Sequence, residues 1–217
     1  MDTKSTYIPA LRFSFLTRLY DPLMRAALKE EKFKRRLVEQ ASIQPGQRVL
    51  DLGCGTATLT LLAKQAAPEA DVVGLDGDPA VLHIAREKAR QGGAEISLVE
   101  GMSFSPPFPP ESFDRIVSSL VLHHLTTENK RRTLEQAYRL LKPGGTLHIA
   151  DWGQAQNALM RVAFLGVQLL DGFTTTADNV AGRLSPLMRE AGFADAVETH
   201  REMTVFGTLA LYRATRL

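Results

Sequence analysis

One cysteine in 217 residues, Cys54, leaves the chain without a partner for an intrachain disulfide. That suits a reducing compartment, and a cytoplasmic location is the expectation. Charge is equally sparse. The formal net charge is +2, too little for the electrostatic footprint of a nucleic-acid-binding surface, so no nucleic-acid partner is expected. No apolar run is long enough to span a bilayer, and no apolar core with a small-residue cleavage site marks a secretory signal near the start. Repeats and linkers are missing too, so a single domain over 1–217 is expected, its 44% hydrophobic content adequate for one core. Finally, His83, His123, His124, His148 and His200 show no ligand spacing with carboxylates or cysteine, and no metal is expected.

What the chain does have begins at Val49-Leu50-Asp51-Leu52-Gly53-Cys54-Gly55-Thr56. A short apolar run ends in an acid, and a Gly-x-Gly turn opens onto a helix-like stretch from Ala57 to Gln65. This is the opening unit of a sheet that binds a dinucleotide or nucleoside. Glycines there let backbone approach a ligand that any Cβ would obstruct. A pyrophosphate fingerprint wants a third Gly or Ala three positions on, where this chain has Thr58, and Asp51 adds a negative charge that a diphosphate would not tolerate. A cationic or zwitterionic nucleoside fits better. Cys54 itself reads as a small residue filling a crowded turn. A second buried run, Val72-Val73-Gly74-Leu75-Asp76, ends in another carboxylate. An acid at that strand tip can accept both hydroxyls of a ribose. Asp78, ahead of Pro79, supplies the cap of the next helix, so Asp76 is free for ligand.

Four segments together resemble the class I S-adenosylmethionine-dependent methyltransferases: residues 49–56, 72–79, 112–125 (S-F-D-R-I-V-S-S-L-V-L-H-H-L) and 140–152 (L-L-K-P-G-G-T-L-H-I-A-D-W). Within that family the chain looks most like small bacterial enzymes resembling quinone C-methyltransferases and phospholipid N-methyltransferases. The resemblance implies a Rossmann-like α/β fold: a seven-stranded, mostly parallel sheet with one antiparallel strand, helices on both faces and an N-terminal helical cap. It implies S-adenosylmethionine as cofactor and S-adenosylhomocysteine as product. Gly53 and Gly55 would line the methionine part, Asp51 would attract its ammonium group, and Asp76 would hold the ribose diol with Gly77 beside it. Backbone at Ser118 and Ser119 would face the methionine moiety. Met102 stands where many relatives carry a polar acceptor for the adenine amino group. Its thioether can pack on the ring, and the amide of Ser103 can donate to a ring nitrogen.

Around that core the reading is coarser. Residues 1–44 form the cap, with one helix over Leu11–Tyr20 and another from Asp21-Pro22 to about Ala41; Tyr20 is a candidate to close over the cofactor carboxylate. The Glu30/Lys34 and Glu31/Arg35 pairs, four apart with the acid first, read as a solvated helix face. Residues 45–152 are the cofactor-binding core, in which Lys142-Pro143-Gly144-Gly145 ends a helix ahead of a strand at Thr146–Asp151. Residues 153–217 supply lid helices and two C-terminal antiparallel strands joined through Phe206-Gly207-Thr208. Asn157–Leu170 is apolar enough to need cover on nearly all sides. A lid packed on the N-terminal helices is preferred, then a subunit contact, with shallow peripheral membrane contact also open; monomer and homodimer stay open with them.

The acceptor pocket should lie beyond the carboxyl ends of the strands. His123 and His124, just after the fourth strand, are base candidates or pocket-shaping residues, and no catalytic residue is assigned. Asp151 and Trp152 are candidates for an acceptor contact and an aromatic wall, or for loop anchors. The expected function is methyl transfer to a small-molecule or lipid-like acceptor. Two other readings compete: a catalytically silent nucleoside-cofactor-binding protein, supported only by Met102, and a nicotinamide-dependent oxidoreductase, opposed by Thr58.

Overall fold

A computed structural model describes residues 30–217. The strands are β1 (Arg48–Leu52), β2 (Asp71–Asp76), β3 (Ser97–Glu100), β4 (Phe113–Ser119), β5 (Leu141–Trp152), β6 (Ala194–Thr204) and β7 (Gly207–Thr215). They form one seven-stranded sheet in the order β3-β2-β1-β4-β5-β7-β6. β1 pairs in parallel with β2 and β4, β2 with β3, and β4 with β5. Only β7 runs the other way, antiparallel to both β5 and β6. The two-residue link Val205-Phe206 permits nothing else, because a parallel return needs a long crossover.

The central strands read as unbroken apolar runs because both faces are covered. Val49, Val72, Val117, Ala150 and Trp152 pack with Phe33, Leu37, Leu59, Leu62 and Phe164 from α1 (Glu30–Ala41), α2 (Thr58–Ala66) and α5 (Ala158–Asp171). Their neighbours Leu50, Leu52, Val73, Leu75, Ile116 and Ile149 point the opposite way. They pack with Leu134 and Leu140 of α4 (Thr127–Leu140) and Leu187 and Met188 of α7 (Leu184–Glu190). The period-2 alternation therefore sorts side chains between two cores. α3 (Pro79–Gln91) lies on β2 and β3 and buries Leu82, Ala85 and Ala89.

Several expectations need correction. α6 (Phe173–Val180) did not emerge from the sequence, since Thr174-Thr175-Thr176 favours other structure; tertiary contacts hold it. Lys142–Gly145 does not close a helix: α4 stops at Leu140, β5 begins at Leu141, and Lys142 pairs with Asp114 at 2.9 Å. The charge run on α1 is only half solvated. Glu31 and Arg35 are exposed, whereas Lys34 is 7% exposed and pairs with Glu30 on the buried side. α5 packs inward through Met160, Phe164 and Val167, but Leu159, Val162 and Leu169 are exposed. The predicted helix over 11–20, the start of the next one and Tyr20 lie outside the described residues.

Candidate cofactor and acceptor site

β1 delivers Asp51 fully buried on the face toward α1 and α2. Its Oδ2 accepts the Thr60 hydroxyl at 2.7 Å, while Oδ1 is buried with no hydrogen-bond partner. Burial pushes the carboxyl up to about 6, against the pull of the Thr60 hydrogen bond and the nearby Lys34 ammonium. The turn that follows is stapled to β2, the amides of Gly53 and Cys54 both donating to the Leu75 carbonyl at 2.8 and 2.9 Å. Gly55, at φ +54°, has open space where a Cβ would stand. Gly53 shares the left-handed backbone, at φ +78°, and adds a second constraint: a Cβ there would meet Val121 Cγ2 at 2.4 Å. Cys54 is buried and its thiol is pushed up by burial, as a filler of the turn would be. The Thr58 hydroxyl accepts from Lys88 Nζ at 2.7 Å.

Asp76 sits half-buried at the end of β2. Its Oδ2 accepts the Gly55 amide at 2.9 Å and its Oδ1 the Asp78 amide at 3.0 Å. Asp78 caps α3 by accepting from Ala80 and Val81, as expected. Gly77 backs onto Met102, whose Sδ would lie 2.7 Å from an added Cβ. Ser103 turns its hydroxyl to Thr133 at 3.1 Å. Ser118 donates its hydroxyl to the Leu52 carbonyl at 2.7 Å, tying β4 to β1, and Ser119 ends β4 half-buried. Asp51, Gly55, Asp76, Gly77 and Met102 thus gather around the carboxyl ends of β1 and β2.

The other half of the site is the 3-10 turn Leu122–His124, after β4. Fully buried Asp151 accepts from the Leu122 amide at 2.8 Å, from His123 Nδ1 at 2.7 Å and from the Trp152 amide at 2.7 Å. Asn179 of α6 adds a bond to it at 3.3 Å. Asp151 is therefore a positioning group whose lone pairs are committed to the protein. Burial opposes its charge, but His123 outweighs that and holds the carboxyl below the usual range. His123 is correspondingly raised, burial being outweighed by Asp151. Burial, with His123 alongside, pushes His124 down to about 3. Trp152 is core, 5.4 Å from the Phe164 ring and edge-on to His123 at 6.3 Å.

Two residues escaped the sequence reading. Lys34 comes to Asp51 from an apparent surface run. Asp171, at the end of α5, approaches His123 Nε2 at 3.5 Å and His124 Nδ1 at 3.6 Å. The expectation that histidine and carboxylate lack ligand spacing fails here, because the fold joins residues 47 or more positions apart (171 − 124 = 47). Of the other histidines, His148 is buried between Gln40 and Thr146, and His83 is exposed on α3.

A mostly parallel seven-stranded sheet with a reversed penultimate strand, and acids at the tips of β1 and β2, defines the Rossmann-like methyltransferase architecture. The family model described as a methyltransferase domain matches residues 49–145. The demethylmenaquinone methyltransferase of Symbiobacterium thermophilum is 29% identical over 243 residues, covering 99% of this chain and 94% of that protein. An uncharacterized methyltransferase of Synechocystis sp. is 32% identical over 164 residues, covering 76% and 74%. In fold, the crystal structure of a SAM-dependent methyltransferase from Aquifex aeolicus superposes with a TM-score of 0.68 at 18% identity, covering 94% of this chain and 98% of that one. The chain belongs to the class I S-adenosylmethionine-dependent methyltransferase family.

Proposed function

We propose that this chain methylates the ring of a lipid-tailed quinol, with S-adenosylmethionine seated between Asp51 and Asp76. The observation that carries the seat is Asp51 Oδ1, a buried acceptor lacking a partner one turn from Gly55. A buried carboxylate without compensation is costly, and the ammonium of the methionine moiety supplies it. Lys34, beside Asp51, balances the carboxylate of the same zwitterion. The remaining lone pairs of Asp76 take the ribose hydroxyls, and Met102 covers the adenine face beside Gly77. Ser118 and Ser119 wall the methionine side, with Ser103 beyond Met102. When bound, the cofactor supplies a methyl group already activated on a sulfonium sulfur.

The chain's part in transfer is then positional. The acceptor carbon has to sit within roughly 3–3.5 Å of the methyl group, in line with the leaving sulfur, in a pocket closed to water. The Leu122–His124 turn, held by Asp151, forms the wall opposite the cofactor seat. The names of the relatives support a quinone-type ring, and the exposed Leu159, Val162 and Leu169 stripe of α5 offers a surface for an isoprenoid tail at the cytoplasmic face of a membrane. Calorimetric titration with S-adenosylhomocysteine and transfer of radiolabelled methyl to reduced demethylmenaquinone in detergent test the proposal. Micromolar binding that Asp76→Ala weakens strongly, with label in the quinone fraction, is expected. Binding unaffected by Asp76→Ala overturns the seat, and label absent from the quinone fraction overturns the acceptor.

A further inference from the structure

His123, His124 and Asp171 place three donor atoms within 4.8 Å of one another, between the turn after β4 and the end of α5. Asp171 is largely buried, and its oxygens lie 3.5 Å from His123 Nε2 and 3.6 Å from His124 Nδ1. Those separations exceed an ordinary hydrogen bond, which ends near about 3.2 Å. They approach the edge of a tetrahedron around a small divalent ion: metal–nitrogen and metal–oxygen distances of about 2.0–2.2 Å put neighbouring ligands about 3.4 Å apart. We propose that His123, His124 and Asp171 bind a divalent first-row transition metal ion, zinc being the reference case.

A second observation supports the site independently. Asp151 Oδ1 lies 2.7 Å from His123 Nδ1 and turns Nε2 toward Asp171, as the ring nitrogen a metal would engage. This carboxylate–histidine pairing is how proteins orient an imidazole for a metal and raise its donor strength. A proton between Nε2 and Asp171 would satisfy one pair of atoms; a cation satisfies all three groups at once. Two imidazoles and one carboxylate suit zinc and its first-row neighbours, while magnesium and calcium favour all-oxygen sets. His124, the most exposed of the three with 28% of its side chain open, leaves an approach for a fourth ligand. On the acceptor reading given above, that ligand is the quinol oxygen, which the ion would fix beside the carbon to be methylated. The metal site itself stands without that reading.

The test uses the whole chain, freed of metal by chelation and titrated with zinc alone in the absence of cofactor and quinone. Saturable binding of one zinc per chain is expected. His124→Ala and Asp171→Asn should each weaken it at least tenfold, and Asp151→Asn, which touches no metal, about ten- to hundredfold. His83→Ala, on the exposed face of α3, should change nothing. Cobalt in place of zinc should give the intense visible absorption of a four-coordinate site. S-adenosylhomocysteine titration of Asp171→Asn should match the parent, because Asp171 touches no residue of the proposed seat. No saturable zinc binding, or binding indifferent to Asp171→Asn, overturns the metal site and leaves the methyltransferase reading intact.

Discussion

Asp76 holds Gly55: the acid that ends β2 accepts, at 2.9 Å, the amide of the turn that follows β1. One carboxylate therefore shapes the glycine turn and faces the position proposed for the ribose. Asp76→Ala should lower affinity for S-adenosylhomocysteine by roughly a hundredfold, the equivalent of two hydrogen bonds to a charged group at about 1.5 kcal/mol each. Asp76→Asn keeps one acceptor oxygen and should lose less. Calorimetry on the three proteins checks the order. Equal affinities would remove Asp76 from the seat.

Gly55 and Gly53 should respond differently to the same substitution. Gly55 has open space on its Cβ side and φ +54°, so Gly55→Ala should cost only the left-handed strain, about 1–2 kcal/mol, while its methyl blocks the ligand. Gly53→Ala would drive a Cβ to 2.4 Å from Val121, and the fold should suffer first. Thermal melts paired with S-adenosylhomocysteine titration separate the two. A Gly55→Ala protein that binds normally would place the ligand elsewhere.

Much of the candidate cofactor half was legible as local structure, because its signals are local. An apolar run ending in Asp51, a Gly-x-Gly turn, a second run ending in Asp76 and the Asp78-Pro79 cap all lie within 31 residues (79 − 49 + 1) and follow from strand burial and capping chemistry. The cluster of His123, His124 and Asp171 was not legible. Asp171 closes an apolar helix with nothing nearby to mark it, and α6 begins with three threonines that local propensity would place in a loop. Lys34 lies in an i,i+4 charge pattern identical to that of exposed Arg35, and only the position of α1 against the sheet distinguishes them. Trp152 alternates with Asp151 on β5, so the two candidates named together point to opposite faces.

The buried state of Asp51 gives two opposite pH effects. Its carboxyl is raised from 3.8 to about 6, chiefly by burial. In the ligand-free protein the resulting stabilisation is complete below the unfolded value and is lost as pH rises through about 6, a change of about 3 kcal/mol. Cofactor binding runs the other way, because the ammonium needs the ionised form: affinity should fall as pH drops below about 6 and level off above it. Asp51→Asn should flatten both curves and weaken binding. Titrations from about pH 5 to about pH 8 check this, and a flat profile in the unmodified protein would contradict it.

The covering helix α6 hangs on Lys130. Its ammonium, fully buried on α4, lies 3.3 Å from Asp178 Oδ2 and donates to the Thr175 carbonyl. Thr127 and Arg183 complete the set at 2.6 and 3.2 Å, and together these partners hold the Asp178 carboxyl below its ordinary value although burial opposes them. Removing Lys130 leaves the buried Asp178 carboxylate with only Thr127 and Arg183, so Lys130→Ala should cost about 3 kcal/mol at neutral pH, the lower end for a broken buried pair. Because the Asp178 value is depressed, its contribution is present above the ordinary carboxylate pKa and vanishes as pH falls through the folded value, so the gap between parent and variant should narrow in acid. Replacing both partners with apolar residues, Lys130→Met with Asp178→Leu, should recover most of the loss. Amide exchange should localise the damage of the single variant to α6 and the Leu122–His124 turn beneath it, since Asn179 ties that helix to Asp151 and to the Trp152 carbonyl. Uniform loss of protection across the sheet, or full stability in Lys130→Ala, would show that α6 is held by something other than this pair.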